Sequence, residues 1–190
     1  VLYLNEQTEF GIDEIKKRDA DILILSETAP HWQRALMALK DIYPYQQHSD
    51  TCDDVGCQVS LLSKKPWRMV QSQKFVAKTP PVIWASFDGV NGSKPFHVFA
   101  VNARKAVTAD GAMRQRKQIK ALGDVVRKIS GPVNLAGDMN ATPSSRAFQR
   151  IVAETGLQGA DISVLPTWPH FLGPLGISID HFFSTPDVQV

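Results

Sequence analysis

The sequence has 190 residues, of which 43% are hydrophobic and 21% charged, and its formal net charge is +2. This composition is that of a folded globular protein, and the small net charge gives no argument by itself for nucleic-acid binding. No run of about 18 apolar residues predicts a membrane-spanning helix. We expect one domain over residues 1–190, cut at both ends from a longer protein because the chain begins and ends in strand-like segments.

Short segments rich in apolar and β-branched residues predict strands in chain order. They are residues 1–5, 21–26, 58–63, 68–71, 82–87, 96–102, 133–137 and 177–183. Apolar residues at helical spacing predict helices near 12–16, 31–40 and 111–128, and Ser144 or Ser145 is a candidate N-cap for a fourth. This order of elements favours two packed sheets flanked by helices over a singly alternating parallel sheet.

The only two cysteines, Cys52 and Cys57, lie close together in the sequence. A disulfide bond, which suits an oxidising compartment, and two reduced thiols in a surface loop are both open interpretations. The spacing does not favour a zinc site.

The most informative segment is Gly-Asp-Met-Asn at residues 137–140, directly after an apolar strand. Gly137 allows the backbone to turn tightly, and Asp138 and Asn140 follow at the carboxyl end of the strand. Asp138 can hold a water or metal-bound oxygen, and the Asn140 amide can bind a phosphate oxygen. An ordinary polar turn is the alternative, because these are common turn residues.

Two further residues at strand ends are candidate metal ligands. Glu27 follows the apolar strand at 21–26, where a carboxylate must be paired or bind a cation because burial of an isolated charge is costly. Asn5 follows the first strand, and its amide oxygen can serve as a ligand. The alternatives are a surface Glu27 that caps the following helix and an Asn5 that only forms a turn.

Asp180 lies in an alternating apolar and polar segment, residues 177–183. Alternation places it on the opposite side of the strand from His181, as an interior or cleft carboxylate that orients an imidazole. A half-exposed edge strand is the alternative. Together these candidates form an oxygen-rich set without thiolates, which favours Mg²⁺ or Mn²⁺ over zinc and suits hydrolysis of a phosphate ester.

In this order, the segments resemble the endonuclease/exonuclease/phosphatase superfamily, which includes enzymes like deoxyribonuclease I and exonuclease III. Residues 137–145 are similar to its signature GD-x-N-x-TP-x-S, and residues 179–183 are similar to its later Ile-Asp-His stretch. The strand that ends in Glu27, the Leu-Leu-Ser-Lys run at 61–64 and the Thr-Trp-Pro run at 167–169 are weaker matches.

The resemblance implies a four-layer α/β/β/α sandwich of two packed mixed sheets, with a Mg²⁺- or Mn²⁺-dependent hydrolytic cleft at one edge. It implies metal ligation by Asn5 and Glu27, contact of Asp138 and Asn140 with water and phosphate, and an orienting role for Asp180.

The branch that the sequence resembles most is bacterial, with amino-terminal membrane helices and an extracytoplasmic, periplasmic catalytic domain. This resemblance favours the disulfide between Cys52 and Cys57, and without such an anchor we expect a cytoplasmic protein.

The sequence departs from the family pattern in two places. Where members carry His or Tyr at the end of the strand at 96–102, this chain has Asn102, which cannot act as an acid at neutral pH. No terminal Ser-Asp-His segment follows Asp180, which we identify with the earlier orienting Asp of the family. Either the last strand lies beyond this chain, or the catalytic His has been lost.

We therefore expect a monomeric, Mg²⁺-dependent phosphoesterase, and the alternative is a catalytically inactive binding module that keeps the fold. Members of the superfamily act on DNA, RNA, inositol phosphates and sphingomyelin, so nucleic acid, phospholipid and inositol phosphate all remain open as partners. Contact with a membrane is expected only through a segment outside this chain. Trp168 and His170 are the predicted substrate-binding residues, unless the aromatic residues of their loop pack against the end of the sandwich.

Overall fold

The computed structural model describes residues 4–50, 56–89, 92–159, 166–186 and 188. Its helices are α1 (Thr8–Arg18), α2 (Pro30–Leu36), α3 (Ala109–Val126) and α4 (Arg146–Thr155), and short 3-10 helices cover Met37–Leu39 and His170–Leu175. Its strands are β1 (Ile22–Ser26), β2 (Tyr45–His48), β3 (Val59–Ser63), β4 (Met69–Gln73), β5 (Val82–Phe87), β6 (Phe96–Asn102), β7 (Val133–Asp138), β8 (Gln158–Gly159) and β9 (Asp180–Ser184).

The strands form two sheets. The smaller has the order β1-β3-β2 and is antiparallel, and the larger has the order β4-β5-β6-β7-β9-β8. Within the larger sheet β6 and β7 are parallel, and α3 connects them, as a parallel pair requires a crossover. The parallel pair brings the carboxyl ends of β6 and β7 to the same edge of the sheet.

Three buried apolar clusters separate four layers. Between the sheets, residues of β3, such as Leu61, pack against residues of β5 and β6, such as Ile83 and Val98. The next residue along β3, Leu62, points the other way and joins α1 and α2 through Ile15 and other side chains. On the outer face of the larger sheet, α3 and α4 pack against β6, β7 and β9. The four-layer α/β/β/α sandwich predicted from the sequence is therefore confirmed.

The N-caps of the two helices on this outer face are made by hydroxyl side chains. Thr108 Oγ1 accepts from the Gly111 N–H at the start of α3, and Ser145 Oγ accepts from the Phe148 N–H at the start of α4. Of the two serines proposed for α4, Ser145 is thus the N-cap. Gly156 ends the helix in a left-handed conformation, with φ of 73°.

The main differences from the prediction lie in three segments. Residues 1–3 of the first predicted strand lie outside the described part, and Leu4 and Asn5 are not in a strand. Tyr45–His48, for which no strand was predicted, forms β2 because it pairs with β3. In the last segment only Asp180–Ser184 is a strand, and Ile177 makes an isolated bridge to Trp168.

No helix in the described part of the chain is both long enough and apolar enough to cross a bilayer.

Candidate active site

Three of the predicted site residues lie side by side at one edge of the larger sheet. Asn102 at the end of β6 pairs in register with Asp138 at the end of parallel β7, and Asp138 pairs with Asp180 at the start of antiparallel β9. The topology therefore forms a row of three polar side chains from segments that are distant in sequence.

Asp138 is the buried centre of this row, with only 7% of its surface exposed. Its Oδ1 accepts a hydrogen bond from the Asn140 N–H at 2.8 Å. Burial raises the pKa of Asp138 to about 7, the Asp180 and Glu27 carboxylates add to the increase, and the Asn140 N–H and Lys105 oppose it. Asp138 thus lies among carboxylates from both sheets.

The residue before Asp138 is a glycine for a steric reason. Gly137 has φ of 131°, and a Cβ at this position would lie 2.0 Å from the carbonyl oxygen of Val101 on β6. Gly137 lies inside β7 and not at its end. The close approach of β6 and β7 therefore requires a glycine here, rather than the tight turn that was predicted.

Glu27 reaches the same site from the smaller sheet. It follows β1, is 8% exposed, and has a left-handed backbone with φ of 60°, which is uncommon for a residue with a long side chain. The preceding residue, Ser26, ties the two sheets together, because its Oγ accepts from the Asp138 N–H at 3.2 Å. Glu27 and Asp138 thus open onto the same edge of the sandwich.

A polar network fixes the backbone that follows Glu27. The Thr28 N–H donates to the Gln58 carbonyl at 3.3 Å, and the buried Thr28 and Ser60 hydroxyls are 2.7 Å apart. Ser60 Oγ also lies 2.7 Å from His48 Nδ1 on β2. All three strands of the smaller sheet therefore support the position of Glu27.

Lys105 forms an ion pair with Glu27, with its Nζ 3.0 Å from Glu27 Oε1. This lysine is in the loop between β6 and α3, and 52% of its side chain is exposed. The sequence did not single it out for this contact, because a partner 78 residues away leaves no local pattern.

Asn5, the other predicted metal ligand, is exposed and lies in the turn that leads into α1. Its Oδ1 accepts from the Gln7 N–H at 3.0 Å. Its carbonyl accepts from Trp32 Nε1 at 2.9 Å and from His31 Nε2 at 3.0 Å. These bonds, in place of a strand ladder, hold Asn5 against α2, the helix that begins three residues after Glu27.

Asn140 has a left-handed backbone with φ of 46°, a conformation that Asn tolerates well. Its Nδ2 donates to the Ala103 carbonyl at 2.9 Å, and its own carbonyl accepts from Gln115 at 3.5 Å. The Asn140 side chain is thus held beside the end of β6.

Asn102 is 2% exposed, and its Nδ2 donates to the Gly56 carbonyl at 3.0 Å. It also lines a pocket of about 300 Å³, together with Arg104, Lys105, Thr108 and other residues of the β6–α3 loop. Its amide therefore links this loop to the segment before β3.

Asp180 is exposed at the mouth of the site, which agrees with the predicted cleft position and not with an interior one. The alternative of an edge strand is wrong, because β9 lies between β7 and β8. Its backbone N–H donates to Thr167 Oγ1 at 3.2 Å. His181 points to the opposite side, is buried, and donates from Nε2 to the Ala141 carbonyl at 2.6 Å. Burial lowers the pKa of His181, which favours its neutral form.

The loop before β9 exposes large apolar side chains. Trp168 is 54% exposed and Phe171 83%, so the predicted packing of an aromatic cluster against the sandwich end is wrong. Leu172, Leu175 and Ile177 are also exposed. His170 is in the 3-10 helix of this loop, and its side chain lies outside the described part. Thr167 Oγ1, bonded to the backbone of Ile179 and Asp180, attaches the loop to the site.

Cys57 is disulfide-bonded. The only other cysteine in the sequence is Cys52, which lies outside the described residues. Cys57 also lines the pocket beside Asn102.

The donor set suits a hard divalent cation. Within the described residues, no three His, Cys, Asp or Glu side chains are grouped so that they could hold a metal ion by themselves. Mg²⁺ does not need such a cage, because it usually keeps several waters and is bound by one or two carboxylates together with substrate phosphate oxygens. Glu27 fits that mode of binding, and Asn5, whose main-chain carbonyl is held by Trp32 and His31 of α2, is the second ligand predicted from the sequence.

Comparison with solved structures shows the same fold in several proteins. The endonuclease/exonuclease/phosphatase from Bacteroides vulgatus superposes with a TM-score of 0.73 at 18% identity, over 95% of this chain and 79% of that one. Sphingomyelinase C from Streptomyces griseocarneus gives 0.72 at 19% identity, over 95% and 76%. A mutant beta toxin from Staphylococcus aureus with bound magnesium ions gives 0.65 at 18% identity, over 90% and 72%.

No curated protein matches the sequence significantly. The sequence model of the endonuclease/exonuclease/phosphatase family, however, matches residues 12–190, which includes all of the site except Asn5. This protein belongs to the endonuclease/exonuclease/phosphatase family.

Proposed function

We propose that this protein is a Mg²⁺-dependent phosphoesterase that hydrolyses a phosphodiester or phosphomonoester by attack of water. Membership of the family supports a metal-dependent phosphoesterase kind of function. The observation that carries the proposal is the convergence of Asp138, Asp180 and Glu27 on one edge of the sandwich, as the raised pKa of Asp138 reflects.

In this proposal Glu27 and Asn5 would hold the metal ion. When bound, Mg²⁺ neutralises negative charge on the phosphate group. Mn²⁺ has similar ligand preferences and is the natural substitute. The bound magnesium of the Staphylococcus aureus beta toxin supports this choice, since that protein shares the fold.

Asp138 is the proposed general base. A group is most effective in this role when its pKa lies near the working pH, and the pKa of Asp138 is raised to about 7. The Asn140 N–H donates to the Oδ1 atom of Asp138 at 2.8 Å, and in this proposal the second carboxylate oxygen would accept the proton of the water. Asp180, its register partner, would orient the water or the protonated Asp138 from the exposed side.

Asn140 is the proposed amide contact to the phosphate, and Asn102 supports the site beside it. One Nδ2 hydrogen of Asn140 is directed to Ala103, and the other can be donated to a phosphate oxygen. The amide of Asn102 is directed to Gly56, so its contribution is to hold the pocket wall. In neither case does the amide supply a proton, so in this proposal water would protonate the leaving group.

A phosphate ester with an apolar portion is the substrate class that the surface favours. Trp168, Phe171 and Leu175 are exposed on the loop bonded to Asp180, where they can contact such a portion. A nucleic acid would instead need a basic face. Two of the basic side chains of α3 are paired locally, Arg114 with Asp110 at 2.6 Å and Lys120 with Asp124 at 3.1 Å.

Other expectations from the sequence remain proposals. The disulfide at Cys57 supports an oxidising, extracytoplasmic location, because such bonds rarely persist in the cytoplasm. We also retain the proposals of a monomer and of a membrane anchor outside this chain.

The direct test is hydrolysis of bis(4-nitrophenyl) phosphate and 4-nitrophenyl phosphate by the purified chain with Mg²⁺, Mn²⁺ or EDTA. We expect release of nitrophenol with either metal and its loss in EDTA. A short-chain phosphatidylcholine and an oligonucleotide then compare the substrate classes, and we expect preference for the lipid.

The competing proposal is an inactive binding module, which Asn102, in the place where members of the family carry His or Tyr, favours. A folded chain that binds Mn²⁺ but hydrolyses none of these esters would support it and contradict the phosphoesterase. Activity unaffected by EDTA would contradict both.

A further inference from the structure

The Lys105–Glu27 ion pair has a consequence for the metal site. Lys105 Nζ lies 3.0 Å from Glu27 Oε1, the only carboxylate assigned here as a metal ligand. An ammonium group in that position and a divalent cation would compete for the same oxygen atoms.

The backbone that carries Lys105 is held in place. The Ala103 N–H donates to the Asp138 carbonyl at 2.7 Å, and the Arg104 N–H donates to the Oε1 atom of buried Gln118 at 3.0 Å. The Lys105 carbonyl packs so closely against the first turn of α3 that a Cβ on Gly111 would lie 2.5 Å from it. Lys105 is therefore directed at the site by a fixed backbone.

The Lys105 side chain, in contrast, has space to move. It is 52% exposed and lines the pocket of about 300 Å³ between the β6–α3 loop and Gly56. An ammonium group displaced from Glu27 can enter this pocket or solvent without any movement of the backbone. The competition is thus reversible by side-chain rotation alone.

The charges around Lys105 explain why an ammonium group would be held there. Glu27 is nearly buried, and Asp138 and Asp180 add negative charge at the same edge. One lysine compensates only part of this charge, so a divalent cation at a sufficient concentration is the stronger partner.

We propose that Lys105 is a built-in competitor for the metal site, which neutralises Glu27 in the metal-free protein and sets the concentration of divalent cation needed to occupy the site. This inference rests on the proposed function, because it takes Glu27 as a metal ligand. It adds a residue that adjusts metal affinity without being a ligand itself.

Binding of Mn²⁺, measured by the loss of the free-ion EPR signal at neutral pH and low salt, tests the proposal without any activity assay. Lys105→Met removes the charge and keeps the length of the side chain, and we expect about three- to tenfold tighter binding than in the wild type, the range expected for a partly exposed ion pair. Lys105→Arg keeps the charge, and we expect binding no tighter than in the wild type.

Two controls locate the effect. Lys120→Met removes an equivalent ion pair on the outer helix, Lys120 Nζ to Asp124 at 3.1 Å, and should leave Mn²⁺ affinity unchanged. Glu27→Gln should abolish the binding, which shows that the measured site contains Glu27.

Equal affinity of the wild type and Lys105→Met, with binding still lost in Glu27→Gln, would overturn the competitor role and leave the metal-dependent function standing. Tighter binding in both Lys105→Met and Lys105→Arg would also overturn it, because charge would not be the cause. No binding by any of the variants would overturn this inference and the metal-dependent function together.

Discussion

Asp138 and Asp180 are direct register partners on the antiparallel strands β7 and β9, so two carboxylates share one position of the sheet. Asp138 is buried and Asp180 exposed; burial raises the pKa of Asp138, and the Asp180 carboxylate raises it further. The sheet register thus places a buried carboxyl with a raised pKa beside a second carboxylate, an arrangement that suits proton transfer at neutral pH.

Asp138 should destabilise the metal-free protein at neutral and alkaline pH. Its pKa is 3.8 in the unfolded chain and about 7 in the folded one, so the folded state binds more protons between these values. The stabilising contribution of the protonated carboxyl is therefore complete below about pH 4 and is lost as the pH rises through about 7. Asp138→Asn should remove this dependence and raise the free energy of unfolding by a few kcal/mol above pH 7.

Urea unfolding in EDTA across this pH range measures the effect. Asp124→Asn, at an exposed position on α3, is the control and should leave the loss of stability between about pH 4 and 7 in place, because the pKa of Asp124 is lowered by its Lys120 partner. If Asp138→Asn were no more stable than the wild type above pH 7, ionisation of the buried Asp138 carboxyl would not be what destabilises the wild type.

Gly137→Ala should prevent normal folding or cost several kcal/mol of stability. A methyl group at this position would lie 2.0 Å from the Val101 carbonyl oxygen, and φ of 131° is unfavourable for alanine. Soluble yield and thermal unfolding are the measurements.

Gly156→Ala is the matched control for this prediction. Gly156 also has a positive φ, 73°, but nothing lies within 4 Å of a Cβ there, so only the backbone cost of about 1–2 kcal/mol is expected. Equal effects at the two glycines would mean that the contact between β6 and β7 is not the cause.

Trp168→Ala should weaken binding of substrates with an apolar portion and leave the fold intact. The side chain is 54% exposed, so its removal should cost less than about 1 kcal/mol of stability. We expect KM for a short-chain phospholipid to rise several-fold, with little change in KM for 4-nitrophenyl phosphate.

Phe10→Ala is the control for Trp168→Ala, since Phe10 is 79% exposed but belongs to α1 in the other outer layer. An equal rise in KM for both variants, or none for Trp168→Ala, would remove this loop from the substrate-binding surface.

Much of the fold could be predicted because the spacing of apolar residues along the sequence indicates its helices and strands. The apolar spacing of Ile119, Leu122 and Val126 marked α3, and those side chains are buried against the larger sheet. Strand β2 escaped prediction because its pairing with β3 depends on tertiary contacts rather than on apolar alternation in residues 45–48.

Some residues of the candidate site could likewise be predicted from the sequence, and others could not. Glu27 and Asp138 stood out because each follows an apolar strand, and the structure brings both to one edge through the Ser26 bond to the Asp138 N–H. Lys105 and Thr167 were not predicted as parts of the site, since their contacts join distant segments. The spacing of residues in the sequence does not indicate such long-range contacts.

The central claim is that Asp138 activates the water that attacks a metal-bound phosphate ester. The most direct measurement is the rate of bis(4-nitrophenyl) phosphate hydrolysis at saturating Mg²⁺, compared between the wild type and Asp138→Asn. Mn²⁺ binding to both proteins should first show that their metal affinities are equal. We predict Mg²⁺-dependent hydrolysis by the wild type and a loss of about 100-fold or more in the variant. Hydrolysis that persists at the wild-type rate in Asp138→Asn would contradict the account.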